Sequence, residues 1–215
     1  MIKIGILNLQ GAVSEHLEMT QKTIERMNME NEIIAIPVRY ADEVAQCNGI
    51  IISGGESTVI GKLIKERGID KVIKDNQIPV FGTCAGMVLL SKKTDYDQEI
   101  LGIMDVEVKR NAFGRQKDSF ENEVNIFGTT YPGVFIRAPA VSSILDSNAD
   151  NNLNNEDINA VNNLDKVEIL SELDSNIVAV KQGNNMAMSF HPELTCDTRL
   201  HEYYLNEVIK LNKNV

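Results

Sequence analysis

The stretch Val80-Phe81-Gly82-Thr83-Cys84-Ala85-Gly86-Met87 decides the fold, because it predicts a buried strand that runs into a helix through a sharp turn. The turn reads G-x-C-x-G, the nucleophile-elbow pattern with cysteine in the place of serine. The glycines permit the turn, so the Cys84 thiol is exposed at the strand end. The helix dipole there favours its thiolate, and the backbone N–H of Ala85 is a natural oxyanion donor. The alternative is a buried structural cysteine.

Around this elbow, apolar strands alternate with amphipathic helices. Strands are predicted at 2–9, 33–38, 49–52 and 79–82, and helices at 14–29, 57–67 and 84–92. Such βα units predict a parallel sheet that is covered on both faces. Further along, shorter strands without helices between them are predicted at 104–108, 124–127, 133–137, 167–170, 177–181 and 186–190, before a closing helix at 198–211. We therefore expect an α/β fold with a mixed, mainly parallel sheet and added antiparallel strands in the C-terminal half.

Length and composition favour one soluble domain of ordinary size that spans 1–215. The formal net charge of -10 argues against a nucleic-acid partner, which needs clustered lysine and arginine. No apolar run approaches the ~20 residues that cross a bilayer. We see no signal peptide, so we expect a cytoplasmic protein that does not contact a membrane. The Asn-rich segment 146–163 predicts a surface loop.

A cysteine nucleophile needs a base, and His191 is the candidate. It follows the strand pattern at 186–190 within Ser189-Phe190-His191-Pro192-Glu193, which puts the imidazole at a strand end. Pro192 stiffens the turn, and Glu193 can accept a hydrogen bond from the imidazole and fix its tautomer. The alternative is a surface histidine in a turn.

The other cysteines and histidines lack such a setting. The three cysteines are too few for a disulfide framework and have no zinc-ligand spacing, so the sequence predicts no metal site. We interpret the remaining residues of both types as structural cysteines and helix-face histidines: Cys47, Cys196, His16 and His201.

A second strand-to-helix turn reads Ile51-Ile52-Ser53-Gly54-Gly55-Glu56-Ser57-Thr58. Main-chain N–H groups in a double glycine can approach a substrate oxyanion closely. The alternative is a simple turn with a helix cap at Glu56 or Ser57. The stretch lacks the G-x-x-x-x-G-K-[ST] pattern of a phosphate loop, so we discount nucleotide binding.

Together these segments resemble the class I, or triad, glutamine amidotransferases, and more closely the glutaminase subunits of pyridoxal 5'-phosphate synthases. The G-x-C-x-G and H-P-E elements are shared by many amidotransferases, whereas four other motifs point to these subunits. They occur in the expected order: Leu9-Gln10-Gly11-Ala12, Gly54-Gly55-Glu56-Ser57-Thr58, Arg110-Asn111-Ala112-Phe113-Gly114-Arg115-Gln116 and Phe135-Ile136-Arg137-Ala138-Pro139. The resemblance implies a flavodoxin-like, three-layer α/β/α fold.

The resemblance also implies a role for each matching residue. Cys84 corresponds to the nucleophile, His191 to the general base and Glu193 to the residue that orients it. Gly55 and Ala85 correspond to the oxyanion-hole donors through their backbone N–H groups. The matching glutamine-binding positions are Gly54, Gly55, Glu56, Arg110, Ile136 and Arg137. The two arginines suit a substrate α-carboxylate, which a guanidinium can grip bidentately.

Further implications concern substrate and partner. The resemblance implies hydrolysis of L-glutamine without a cofactor, and delivery of the ammonia to a barrel-shaped synthase subunit in a hetero-oligomer. The sequence departs from the family at Ser53, where proline is usual, and in the length of 146–163. Two alternatives remain: an amidotransferase subunit of another pathway, and a non-catalytic regulatory subunit on the same fold.

Overall fold

The computed structural model describes residues 1–113, 119–145 and 166–213. The motif residues 114–116 and the Asn-rich segment 146–163 lie outside these ranges. The described strands are β1 Ile2–Leu7, β2 Ile33–Val38, β3 Gly49–Ile52, β4 Val80–Thr83, β5 Ser91–Thr94, β6 Met104–Lys109, β7 Ser119–Ile126, β8 Thr129–Ile136, β9 Ala140–Ile144, β10 Glu168–Leu173, β11 Asn176–Gln182 and β12 Asn185–Met188. The described α-helices are α1 Val13–Arg26, α2 Ala41–Val44, α3 Ser57–Glu66, α4 Ile69–Asp75, α5 Ala85–Leu90 and α6 Arg199–Lys213.

Ten of the strands form one mixed sheet in the order β2-β1-β3-β4-β12-β11-β9-β6-β5, with β10 paired to β11. The side from β2 to β12 is parallel throughout. This parallel side confirms the βα reading of the first 92 residues, because apolar runs such as β3 are buried along their whole length. Among the described helices, none is both long and apolar enough to cross a bilayer.

The second half of the chain adds antiparallel strands to the sheet, as predicted. β6 and β11 fall on predicted strands, whereas β9, which lies between them, was not predicted. The prediction that all later strands join this sheet is wrong for β7 and β8, which pair only with each other as a separate hairpin. In both strands buried and exposed residues largely alternate. One face of the hairpin therefore packs against the core while the other stays in solvent.

The helix predicted at 84–92 ends early, at Leu90. The hydroxyl of Ser91 donates to the carbonyl of Val88 at 2.7 Å and satisfies one of the carbonyls left open at the helix end. The chain then continues as β5, an edge strand parallel to β6. Exposed Lys92 and Lys93 suit such an edge, because charged side chains discourage pairing with another chain.

Two apolar clusters, one on each face of the sheet, confirm the three-layer α/β/α architecture. Side chains alternate along β3, so Ile51 joins one cluster while Ile50 and Ile52 join the other. The Ile51 face is covered by α1, α6 and the hairpin, and the opposite face by α3, α4 and α5. Each fully buried isoleucine contributes about 1.5–3 kcal/mol of hydrophobic stabilisation.

Candidate active site

Cys84 lies on a strained turn at the carboxyl end of β4. Its backbone has φ 49° and ψ -103°, a conformation that residues other than glycine rarely adopt. The N–H of Cys84 donates to the carbonyl of Met188 at 2.7 Å, which ties the turn to the end of β12. The side chain is partly exposed, so the thiol is accessible from solvent.

The two glycines of the G-x-C-x-G motif are required by close packing. A Cβ on Gly82 would lie 2.7 Å from the backbone carbon of Gly86, and a Cβ on Gly86 would overlap the carbonyl of Ile52. The helix can therefore begin directly behind the strand. Ala85 is its first residue, so the N–H of Ala85 has no acceptor within the helix.

The pairing of β4 with β12 brings His191 to the same edge of the sheet. These strands are parallel, with Met188 beside Thr83 in the register. Cys84 and His191 therefore both follow the carboxyl ends of adjacent strands. The side chains of both residues flank Gly54, since a Cβ built there would lie 3.3 Å from Cys84 Cβ and would overlap the His191 ring.

A buried chain of polar contacts runs back from His191 into the core. His191 Nδ1 lies 2.7 Å from Glu193 Oε1, and Glu193 Oε2 lies 3.2 Å from His16 Nε2. The same His16 nitrogen is 2.9 Å from the hydroxyl of Thr83, and His16 Nδ1 is 3.1 Å from His201 Nε2. All five side chains are buried. Each oxygen of Glu193 thus lies beside one histidine, although only the contact of Oε1 with His191 has hydrogen-bond geometry, and Oε2 has no hydrogen-bond partner among the described residues.

The outer nitrogen of His191, Nε2, is buried and forms no geometric hydrogen bond with the described residues. It is nevertheless close enough to Cys84 for the sulfur to influence its protonation. Burial opposes the charged imidazolium, but Cys84 and Glu193 outweigh burial and raise the pKa of His191 to about 10. The geometry can therefore support an imidazolium beside the sulfur at neutral pH.

Ionisation of the deeper groups follows from the same balance. Burial disfavours the Glu193 carboxylate, but the neighbouring His16, and then His191, hold its pKa well below the usual range. Burial, with the neighbouring His16, lowers the pKa of His201 to about 3. At neutral pH an ionised Glu193 therefore lies between His16 and His191, and the His201 that contacts His16 is neutral.

The double-glycine turn after β3 is attached to the loop that precedes α1. The N–H of Ala12 donates to the carbonyl of Gly54 at 3.2 Å, and the N–H of Glu56 donates to Gln10 Oε1 at 2.7 Å. Ser53, where the family usually has proline, donates its hydroxyl to the carbonyl of Gln10 at 3.4 Å. The serine thus adds a contact between the turn and this loop.

An open cleft lies over Cys84. It is lined by most of the positions that the sequence predicted for oxyanion and substrate binding: Gly55, Glu56, Ala85, Arg110, Ile136 and Arg137. Four further residues complete the lining: Ser57, Val88, Asn111 and Pro139. Gly54, His191 and Glu193 lie behind the cleft rather than in its wall.

Charges of both signs meet in this cleft. Arg110 Nε lies 3.5 Å from Asp95 Oδ1, and its guanidinium stacks 4.3 Å from the centre of the Tyr96 ring. Arg137 is exposed and directly follows Ile136, whose carbonyl accepts a hydrogen bond from the Cys84 sulfur at 3.7 Å. With the Glu56 carboxylate nearby, the cleft has the charge pattern to hold a zwitterion such as an amino acid.

The sequence analysis placed His16 and His201 on helix faces but did not identify the direction in which those faces point. Both lie on helices as predicted, but on the faces that point into the core, and both are fully buried. The burial of both histidines could have been recognised from the buried residues that lie three to four positions away on the same helix. His16 shares the buried stripe of α1 with Thr20 and Thr23, three to four residues apart, and His201 precedes the buried Tyr204 at the same spacing.

Comparison with known sequences agrees with this geometry. The model of the SNO glutamine amidotransferase family matches residues 6–210. The pyridoxal 5'-phosphate synthase subunit PdxT of Methanobrevibacter smithii is 64% identical over 209 residues, which cover 97% of this chain and 98% of that protein. The PdxT subunit of Methanothermobacter thermautotrophicus is 54% identical with the same coverage of 97% and 98%.

Solved structures lead to the same family. The crystal structure of a glutamine amidotransferase superposes with a TM-score of 0.77 at 36% identity, covering 95% of this chain and 98% of that chain. The glutaminase domain of Trypanosoma brucei CTPS, solved with bound acivicin, has a TM-score of 0.60 at 13% identity, covering 98% and 94%, and shows the fold alone. The chain therefore belongs to the SNO glutamine amidotransferase family.

Proposed function

We propose that this chain is the glutaminase subunit of a pyridoxal 5'-phosphate synthase, a one-domain cytoplasmic enzyme that hydrolyses L-glutamine to L-glutamate and ammonia. The observation that carries the proposal is the approach of Cys84 and His191 beside Gly54, at the floor of an open cleft. A thiol, an imidazole and a carboxylate in sequence are the arrangement that activates a cysteine nucleophile.

The charged side chains that line the cleft suit glutamine. Arg137, with Arg110, would hold the α-carboxylate, because a guanidinium binds a carboxylate strongly and with defined geometry. Glu56 would pair with the α-ammonium group. The side chain of glutamine would then extend along Ile136 towards the sulfur, which makes its amide carbon the reacting centre.

In the first half of the reaction, the Cys84 thiolate attacks the amide carbon of the substrate. The carbonyl oxygen becomes an oxyanion, which the N–H groups of Gly55 and Ala85 stabilise. Collapse of this intermediate breaks the C–N bond, and the proton on His191 Nε2 passes to the departing nitrogen. Ammonia leaves, and a glutamyl thioester remains on Cys84.

In the second half, the neutral His191 takes a proton from water, and the resulting hydroxide attacks the thioester. The C–S bond breaks, L-glutamate leaves, and the imidazolium and thiolate are restored. Glu193 accepts the hydrogen bond of His191 Nδ1–H in both halves, which fixes the tautomer that the proton transfers require. The sum is one glutamine and one water converted to glutamate and ammonia.

Delivery to a synthase follows from the chemistry of the product. Ammonia in water is protonated and diffuses away, so a sealed route to a second subunit preserves it as a nucleophile. The two PdxT relatives, aligned over 97% of this chain, support a pyridoxal 5'-phosphate synthase as that partner. The synthase subunit would receive the ammonia in a hetero-oligomer.

The decisive experiment compares glutamate release by wild type, Cys84→Ala and Cys196→Ala, each with and without the synthase subunit. Cys196 is an exposed free cysteine outside the cleft lining and serves as the matched control. We expect Cys84→Ala to lose at least ~10⁴-fold in kcat, the scale at which removal of a nucleophile acts. Cys196→Ala should retain activity. Glutamate release by Cys84→Ala at the wild-type rate would disprove the mechanism.

A glutamine-dependent assay for pyridoxal phosphate separates the remaining possibilities. Glutamate release without pyridoxal phosphate, together with capture of a different synthase, would assign the chain to another amidotransferase pathway. A wild-type complex that makes pyridoxal phosphate from ammonium but not from glutamine would indicate a regulatory subunit.

A further inference from the structure

The chain contains three histidines, and all three belong to one buried cluster. The proposed reaction uses His191 alone. His16 on α1 and His201 on α6 come from opposite ends of the chain, 185 residues apart, and neither side chain is exposed at all. Burying an imidazole costs free energy unless its hydrogen bonds are satisfied. Two such groups below a catalytic carboxylate therefore need an explanation.

The position of each proton follows from the available partners. His201 is neutral, so only one of its ring nitrogens carries hydrogen. Its Nδ1 has no hydrogen-bond partner among the described residues, whereas its Nε2 lies 3.1 Å from His16 Nδ1. A buried N–H without an acceptor is rarer and costlier than a buried acceptor without a donor. The proton of His201 therefore lies on Nε2 and is donated to His16.

This arrangement fixes the tautomer of His16. Because His16 Nδ1 accepts from His201, the ring proton of His16 lies on Nε2. That nitrogen is 3.2 Å from Glu193 Oε2 and 2.9 Å from the Thr83 hydroxyl. The hydrogen-bond geometry of Nε2 is met with the Thr83 hydroxyl. Glu193 Oε2 has no hydrogen-bond partner among the described residues, but the polar Nε2 of His16 lies within ion-pair distance of it.

We propose that His16 and His201 are positioning residues of the glutaminase triad: His201 fixes the tautomer of His16, and His16 holds one oxygen of Glu193 so that the other oxygen orients His191. The proposal rests on the proposed function, because it assigns a role within that reaction. Neither residue touches the substrate. Both act through Glu193, and they extend the catalytic chain from the cleft through the core to α6.

Other groups around Glu193 do not replace His16. His191 approaches from the same turn, His201 from α6 and Tyr131 from β8, and burial raises the pKa of Tyr131 far above the neutral range. Without His16, the buried carboxylate keeps the hydrogen bond of His191 but loses the polar neighbour of its other oxygen. Its pKa must then rise, because burial favours the protonated acid.

A metal site is the obvious alternative for a cluster of histidines and a carboxylate. Within the ranges 1–113, 119–145 and 166–213, however, no three side chains of the metal-binding types are arranged to hold an ion. The remaining alternative is a purely structural polar cluster, and the experiment below is designed to distinguish it from a positioning role.

The first test uses steady-state glutaminase kinetics of the complex with the synthase subunit. His16→Leu removes the donor to Glu193, His16→Gln restores a neutral donor near the Nε2 position, and Thr23→Val is the matched control. Thr23 is a buried polar residue of the same helix, and among the described residues its hydroxyl bonds only to the Met19 carbonyl of that helix, at 2.7 Å.

We expect His16→Leu to lower kcat about 100-fold with KM unchanged, as expected for a catalytic group displaced by about 1 Å. The acid limb of its kcat/KM profile should move to higher pH. His16→Gln should recover much of both effects, and Thr23→Val should show neither. If His16→Leu and Thr23→Val share the wild-type kcat and acid limb, the positioning role is refuted.

The second test needs no activity and no variant. In the wild-type chain with ¹⁵N-labelled histidine, two-bond ¹H–¹⁵N correlations report the protonation of all six ring nitrogens of the three histidines. We expect His201 to remain in the Nε2–H form throughout the neutral range. A His201 with its proton on Nδ1, or one that titrates near neutrality, would overturn the inference. Loss of glutaminase activity in the wild type would instead overturn only the proposed function.

Discussion

Gly54 is the narrowest point of the candidate active site, and its replacement by alanine gives a sharp test of the geometry. An ideal Cβ at this position would lie 2.3 Å from His191 Cε1 and 3.3 Å from Cys84 Cβ. Gly54 is not among the residues with a positive φ, so alanine fits its backbone without strain. The substitution therefore acts through steric overlap with the imidazole.

The size of the effect follows from these distances. Carbon atoms in contact rest at about 3.5–4.0 Å, so the imidazole or the turn must move by more than ~1 Å. A displacement of ~1 Å in a catalytic group costs about 100-fold in rate. We expect Gly54→Ala to lower kcat about 100-fold. Its melting temperature should fall modestly, because overpacking costs about 1–3 kcal/mol and the reduced entropy of the unfolded chain offsets only about 0.4–1 kcal/mol of that.

The assay is glutamate release with the synthase subunit present, together with thermal unfolding of the free chain. Gly128→Ala is the control, because its φ of 71° strains any side chain while its Cβ would meet nothing within 4 Å. That variant should lose about 1–3 kcal/mol of stability and keep its kcat. If Gly54→Ala keeps the wild-type kcat, His191 does not occupy the position from which we infer its role.

Two further predictions concern charge. Arg137→Ala should raise the KM for glutamine at least about tenfold with kcat retained, because a hydrogen bond to a charged group contributes about 1.5–3 kcal/mol; an unchanged KM would exclude Arg137 from substrate binding. The raised pKa of His191 means that its protonation stabilises the fold fully below pH 6.5 and ceases to do so as the pH approaches 10. Urea unfolding should show this loss in wild type and not in His191→Gln.

The parallel half of the fold could be predicted because its signals are local. A fully apolar strand such as β3 and the amphipathic pattern of α3 identify themselves within a few residues. Whether a half-exposed strand joins the main sheet depends on partners far away in the sequence. The alternation in β7 fits an outer sheet strand as well as a separate hairpin, and the hairpin was missed for that reason.

The residues of the candidate site also fall into those that local sequence signals predict and those that depend on distant parts of the chain. Cys84 was predicted because its turn requires glycines on both sides, and Glu193 because it lies two residues from His191 and reaches it at 2.7 Å. No comparable motif surrounds His16 or His201 in the sequence. Their meeting depends on how α1 and α6 pack on the sheet, which requires the three-dimensional structure.

Because the two histidines meet only when α1 and α6 pack on the sheet, this packing should affect catalysis. Glu193 is held from α1, and α1 in turn is contacted by His201 from α6, so the triad rests on the packing of both helices against β4. Tyr204, one turn beyond His201, is itself anchored by its hydroxyl to the carbonyls of Ile50 and Pro79 at 3.0 and 2.9 Å. Loosening this anchor would let α6 shift before the chain unfolds. Catalysis should therefore be lost ahead of global stability when the α1–α6 face is weakened, whereas equal damage among α3, α4 and α5 should affect stability first.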